Sequence, residues 1–113
     1  MPTSTIQIDV HTDENKRCEK LVWSAQDGAI TDRPAKAMIL GMWDDAEGMA
    51  MRIDLWTKEM QVDEMQHFVC QTLMTLADTY EKATSDTPHA TAIRGFTKEL
   101  AERLGVLKPG EGR

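Results

Sequence analysis

Residues 52–84 read RIDLWTKEMQVDEMQHFVCQTLMTLADTYEKAT and decide the fold, because an alternating strand ends within them and a long helix begins. Apolar residues recur from Val62 onward at spacings of three and four, which places them on one face of a helix. The members of this stripe are Val62, Met65, Val69, Leu73, Leu76 and Tyr80. The pattern predicts a helix of about 23 residues, roughly 35 Å long. The rest of the chain is expected to pack around it.

Upstream of the helix, the sequence predicts four strands arranged as two hairpins. Ile6, Ile8 and Val10 alternate with polar residues, and a second strand is predicted over residues 19–24. Turn-forming residues make 26–34 a predicted connection. The third predicted strand, 35–44, is apolar on both faces, and the fourth, 49–56, returns after a short polar loop. A strand that is apolar on both faces is expected to be covered on both.

A second helix is expected after residues 84–86. Thr87 is the predicted N-cap and Pro88 the first helical residue, while Gly105 is expected to end the helix. The predicted apolar stripe consists of Ile93, Phe96, Leu100 and Leu104.

These elements predict an α+β fold: a four-stranded antiparallel sheet made of two hairpins, followed by a long amphipathic helix and a second C-terminal helix, in the order ββββαα. The length of 113 residues predicts a single domain. Residues 1–5 and 108–113 are polar or patternless and are expected to be flexible tails.

Composition excludes several classes of function. The net charge of −6 disfavours binding to nucleic acid and to anionic membranes, which need clustered Lys and Arg. No stretch approaches the ~20 apolar residues of a membrane span, and no secretory leader is evident at the amino terminus. Only two cysteines are present, Cys18 and Cys70, which fits a reducing compartment. We therefore expect a cytoplasmic protein.

Asp63, His67 and Cys70 form the single constellation that could carry catalysis or hold a metal, since the spacings of four and three put them on one helical face. Such a set can activate a thiolate or contribute zinc ligands. Helical spacing of this kind also arises by chance, and a zinc site would need a further ligand. The competing interpretation is a buried Cys70 beside a surface pair of His67 and Asp63. We expect no metal, no cofactor and no enzymatic activity.

Methionine and tryptophan are concentrated in the third and fourth predicted strands. Two helices can cover one face of a four-stranded sheet but not both, so the other face should expose apolar side chains such as Met38, Met42, Trp43 and Trp56. Exposed apolar patches mark interfaces, and methionine-rich ones adapt to varied partners. The sequence therefore predicts a homo-oligomer or a protein-binding surface, on the outer sheet face or on the acidic face of the first helix.

The runs RIDLWTKEMQVDEM and QTLMTLADTYEKAT, with GMWDDAEGMAMRIDLWT before them, resemble the gliding-motility-associated protein GldC family. The resemblance covers most of the chain and is densest over residues 52–84. It implies a small cytoplasmic accessory factor of the gliding machinery, without catalytic activity or cofactor. The matching positions, which become candidate interface residues, are Arg52, Asp54, Trp56, Asp63 and Glu64.

The strand and helix order is also similar to the plan of SecB-type export chaperones. That likeness is at the level of fold and carries no motif. It supplies an alternative function, a chaperone or adaptor that binds unfolded or partner polypeptide of an export machinery.

Overall fold

The computed structural model describes residues 2–106, which form two compact units. One ends at Met60 and the other begins at Gln61, and each is described by itself. The single-domain organisation stays a prediction. Of the expected tails, residues 108–113 lie outside the described residues, whereas Thr5 already accepts a backbone hydrogen bond of 3.3 Å from Gln26.

The first unit begins with a three-stranded antiparallel sheet. Its strands are β1 (Ile6–Thr12), β2 (Cys18–Ala25) and β3 (Ile30–Ala35), in the spatial order β1-β2-β3. Ile8 lies opposite Trp23 and Val10 opposite Leu21, so the apolar residues of the first hairpin share one face. Leu21, at 2% exposed, is the most buried large side chain of this face. The first predicted hairpin is confirmed.

Strand β3 corrects the prediction, because it occupies most of the segment expected to be a connection. A four-residue turn at 26–29 joins it to β2, closed by a 3.2 Å hydrogen bond from the Ala29 amide to the Gln26 carbonyl. Its sequence, ITDRPA, lacks apolar alternation and contains Pro34, features that favour a loop when read alone. Proline is nevertheless tolerated in a strand at the edge of a sheet, which is where β3 lies.

The second predicted hairpin is confirmed as β4 (Ala37–Trp43) and β5 (Ala50–Trp56), which pair antiparallel along seven residues without a bulge. The single four-stranded sheet is wrong: the described residues form one sheet of three strands and one of two. The chain changes pairing partner at Lys36, since β3 pairs with β2 and β4 with β5. The Lys36 carbonyl accepts a 2.7 Å hydrogen bond from the amide of Thr57, just after β5.

The second unit is a helical hairpin, and its first helix lies where the sequence predicts it, although Val62 and Leu76 of the predicted apolar stripe are exposed. Helix α1 runs over Val62–Thr84, 23 residues. The Glu64 carboxylate accepts a 2.9 Å hydrogen bond from the Gln61 amide, which satisfies a backbone donor at the helix start. Ser85 ends the helix with a left-handed φ of 61°.

Helix α2 spans Thr87–Leu104. Its N-cap is Asp86 rather than Thr87, because the Asp86 carboxylate accepts a 3.3 Å hydrogen bond from the His89 amide. Gly105 follows the helix with φ 79°, as expected of a terminating glycine.

The buried positions of α2 are small residues and not the predicted stripe. Ala90, Thr97 and Ala101 are buried, whereas Phe96 is 61% exposed and Leu104 is also exposed. The buried positions lie on the same side of α2 as Arg94, whose guanidinium reaches α1. Small side chains let two helices approach closely, which a search for large apolar residues does not detect.

Candidate protein-binding surface

The β4–β5 hairpin carries an apolar face made of three cross-strand pairs. Side chains directly opposite each other in an antiparallel ladder project to the same side. We call this side the methionine face; its pairs are Met38 with Leu55, Leu40 with Ile53, and Met42 with Met51. All six side chains are apolar.

Half of the methionine face is open to solvent. Met42 is 61% exposed, Met51 52% and Ile53 54%, while the other three members are half-buried. Exposed apolar side chains are ordinary when scattered singly, but here they are contiguous. A two-stranded hairpin with an open apolar face gains stability when that face is covered.

The opposite side of the hairpin, the tryptophan face, has a different chemistry. Trp43 lies opposite Ala50 and Trp56 opposite Ala37, at the two ends of the ladder. The rings are 73% and 61% exposed respectively. Between them, Arg52 donates a 2.6 Å hydrogen bond to Asp54 on the same strand. This face therefore combines aromatic rings with an ion pair.

The register separates residues that the sequence analysis expected on one outer sheet face. Met38 and Met42 lie on the methionine face, whereas Trp43, Arg52, Asp54 and Trp56 lie on the tryptophan face. The grouping of both tryptophans with the methionines is thus wrong. The reason is the period of two along a strand, which sends residues at odd separations to opposite sides.

The remaining two candidate residues belong to the second unit, in the first turn of α1. Asp63 is exposed and available to a partner. Glu64 is half-buried and caps the helix through the Gln61 amide. An interface role for either residue stays a prediction, and Glu64 in addition has a structural role.

The possible thiol or metal site is not assembled. Cys70 is buried, while His67 and Asp63 are exposed, and no ion pair joins the latter two among residues 2–106. Across that range no group of three or more His, Cys, Asp or Glu side chains could hold a metal ion. Cys70 is buried, as the competing interpretation expects, but the surface pair of His67 and Asp63 that it also includes is not formed among the described residues.

A cleft in the first unit was not foreseen from the sequence. It has a volume of about 400 Å³ and is lined on one side by Arg17 and Cys18 and on the other by residues at the end of β5. Lys58 lies 2.6 Å from the Asp13 carboxylate, and this contact is the main cause of the lowered pKa of Asp13. Thr57 is buried, and its hydroxyl has no hydrogen-bond partner among the described residues. No sequence motif relates Arg17 and Cys18 to the residues at the end of β5, or Asp13 to Lys58, because they lie far apart in the sequence.

Neither helix within residues 2–106 combines the length and apolar character needed to cross a lipid bilayer.

The sequence contains a match to one known family. The model of the GldC-like family, described as gliding motility-associated protein GldC-like, matches residues 18–106, from the start of β2 to just beyond α2. No curated protein sequence and no solved structure matches the chain. The family match covers most of the chain, and the protein therefore belongs to the GldC-like family, which is associated with gliding motility.

Proposed function

We propose that this protein is a non-enzymatic accessory factor of gliding motility that acts by binding another protein through the methionine face. The observation that supports this most directly is the run of three apolar cross-strand pairs, in which Met42, Met51 and Ile53 are more than half exposed. The family association supplies the cellular context.

The chemistry of the face suits a protein partner. Methionine side chains are flexible and polarizable, so they adjust to the shape of an opposing apolar surface. The paired strands are about 23 Å long at ~3.3 Å per residue, which matches an extended segment of seven residues or a helix of four turns. We infer that the partner is a component of the motility machinery with an apolar segment of that length.

The same proposal assigns no catalytic residue and no cofactor. The free thiols of Cys18 and Cys70 are consistent with action in the reducing cytoplasm, and fractionation of cells would test that location. Metal analysis of the purified protein and alkylation of its thiols test the non-enzymatic assignment, because stoichiometric metal or a thiol-dependent activity would contradict it.

The decisive experiment replaces the chromosomal copy in a gliding bacterium with single variants at exposed positions. Met51→Glu places a charge on the methionine face, Trp43→Glu places one on the tryptophan face, and Leu76→Glu alters α1 at a side chain that is 54% exposed. We expect Met51→Glu alone to abolish spreading and recovery of the partner, with protein levels unchanged in all three strains.

Two results would contradict the proposal at different levels. Normal gliding after deletion of the whole gene would remove the assignment to motility. Loss of gliding in the Leu76→Glu strain but not in the Met51→Glu strain would keep that assignment and reject the methionine face.

A chaperone or adaptor function is the second candidate, favoured by the same methionine-rich face. A chaperone would bind unfolded polypeptides without sequence preference, whereas an accessory factor would bind one folded partner. We would compare binding of a permanently unfolded protein with that of its folded form. Retention of the unfolded form by the wild type, and its loss in Met51→Glu, would favour the chaperone.

A further inference from the structure

The three-stranded sheet has two edges of unequal character. On β3, Pro34 has no amide hydrogen to donate and Asp32 adopts a left-handed φ of 47°, so this edge cannot continue a regular ladder. On β1, residues 6–11 pair regularly with β2, and the register shifts only between His11 and Thr12. Strand β1 is therefore the open edge of this sheet.

The backbone groups on the open edge can be identified from one hydrogen bond. The Gln26 amide donates to the Thr5 carbonyl, which makes Thr5 and Gln26 a hydrogen-bonded pair of the β1–β2 ladder. Hydrogen-bonded and non-bonded pairs alternate in antiparallel sheets. The amide and carbonyl groups of Ile6, Ile8 and Val10 consequently point away from β2.

We propose that two copies of this chain pair through β1, antiparallel, about a two-fold axis at Ile8. Ile8 then lies opposite Ile8 of the second copy, and Ile6 lies opposite its Val10. About six backbone hydrogen bonds form between the outward groups of the two strands. The interface is separate from the methionine face and forms whether or not that face binds a partner.

Side-chain chemistry favours this register over those with the axis at Asp9 or at Val10. With the axis at Ile8, Ile6, Ile8 and Val10 meet only one another, on the face that carries Leu21 and Trp23. An axis at Asp9 would place two carboxylates directly opposite each other, which is destabilising. An axis at Val10 would bring the irregular end of β1 into the ladder and leave Ile6 opposite Glu14.

The polar face of β1 is complementary in the same register. Gln7 lies opposite Asp9 of the second copy, twice by symmetry. Within one chain the Gln7 amide already contacts both carboxylate oxygens of Asp9 at 3.2 Å. The same donor can serve the opposing carboxylate, so each Asp9 keeps a hydrogen-bond partner at the interface.

The first measurement is the mass of the wild-type protein by light scattering, with Gln7→Glu and Gln7→Lys as matched variants. Both changes affect an exposed side chain and leave the backbone ladder intact. We expect a dimer whose dissociation constant rises at least tenfold in Gln7→Glu, because two carboxylates then oppose each other. Gln7→Lys should retain or tighten the dimer. A wild-type monomer at 100 micromolar protein, or equal dissociation constants for the two variants, would overturn the proposal.

Disulfide cross-linking tests the register in a Cys18→Ser, Cys70→Ala background. We would mix a protein carrying Gln7→Cys with one carrying Asp9→Cys, since these positions face each other about 4.5 Å apart between Cα atoms, within disulfide reach. A mixed dimer should form rapidly. The control mixture combines Asp9→Cys with His11→Cys. In the proposed register these two cysteines of opposing chains lie about 13 Å apart along the strands. Cross-linking of the control instead, or of neither mixture, would overturn the axis at Ile8.

Discussion

Arg94 of α2 donates a hydrogen bond of 2.7 Å to the carboxylate of Glu81 on α1, and the same guanidinium nitrogen lies 2.8 Å from Asp78. The second Glu81 oxygen accepts a 2.8 Å hydrogen bond from the Thr87 hydroxyl. Arg94 is the main cause of the lowered pKa of Glu81. One side chain thus joins two successive turns of α1 to the middle of α2.

Arg94→Met should lower the melting temperature by on the order of 5 °C, because it removes both contacts to α1 at a site where the side chain is only 26% exposed. Arg103→Met is the control, since Arg103 pairs with Glu99 on the same exposed helix face. Exposed pairs of this type contribute little. Thermal unfolding followed by circular dichroism compares the two, and equal decreases would contradict the link between helices.

Gly95→Ala should stabilise the protein by about 0.5–1 kcal/mol, because Gly95 lies inside α2 and a Cβ there meets open space. Gly105→Ala should destabilise it by about 1 kcal/mol, since φ 79° strains any residue with a Cβ. Denaturant titration measures both. Destabilisation by Gly95→Ala would show that the helix interior needs the glycine for another reason.

Ala90→Leu should cost about 1–3 kcal/mol, because Ala90 is fully buried and the added atoms must displace close-packed neighbours. Ala92→Leu, an exposed position two residues later, should change stability by less than about 0.5 kcal/mol. The midpoints in guanidinium chloride provide the comparison. Similar values for the two variants would be incompatible with a tightly packed Ala90.

Stability should fall in acid. Three carboxyl groups have lowered pKa values in the folded protein: Asp13 mainly through Lys58, Glu81 mainly through Arg94 and Asp86 mainly through the Tyr80 hydroxyl. The unfolded chain therefore binds protons first, and stability decreases as the pH falls from about 5 through the folded pKa values. Melting temperatures between pH 7 and pH 3 test this. Asp86→Asn should flatten the profile, and an unchanged profile would contradict the assignment.

Periodicity predicted the elements whose pattern is strong. The bounds of α1 and of both hairpins agree closely with the structure, since their apolar residues recur at three and four, alternate, or form a continuous run as in β4. Strand β3 was missed because an edge strand needs neither alternation nor an unbroken set of amide donors. The small buried residues of α2 were missed for a related reason, as Ala90 and Ala101 carry no large apolar side chain.

The candidate surface was predicted in composition but not in arrangement. The sequence predicted Met38, Met42, Trp43 and Trp56 to be exposed; the last three are, whereas Met38 is half-buried. Met42 and Trp43 lie on opposite sides because side chains alternate along β4, whereas the shared side of Trp43 and Trp56 follows from the pairing of β4 with β5. The contact between Asp13 and Lys58 could not be predicted, because 45 positions separate the two residues and no local pattern relates them.

The interrupted edge of β3 also limits how far this sheet can grow. Each chain has one β1 edge, and that edge pairs with the β1 edge of a second chain. Once two chains have paired, both edges are occupied, so association stops at a two-fold symmetric dimer. If β3 ended in a regular edge as well, β1 of one chain could join β3 of the next and add chains without limit. Pro34 and Asp32 thus prevent filament formation. Replacing both with strand-forming residues is the change most able to convert the dimer into a fibre.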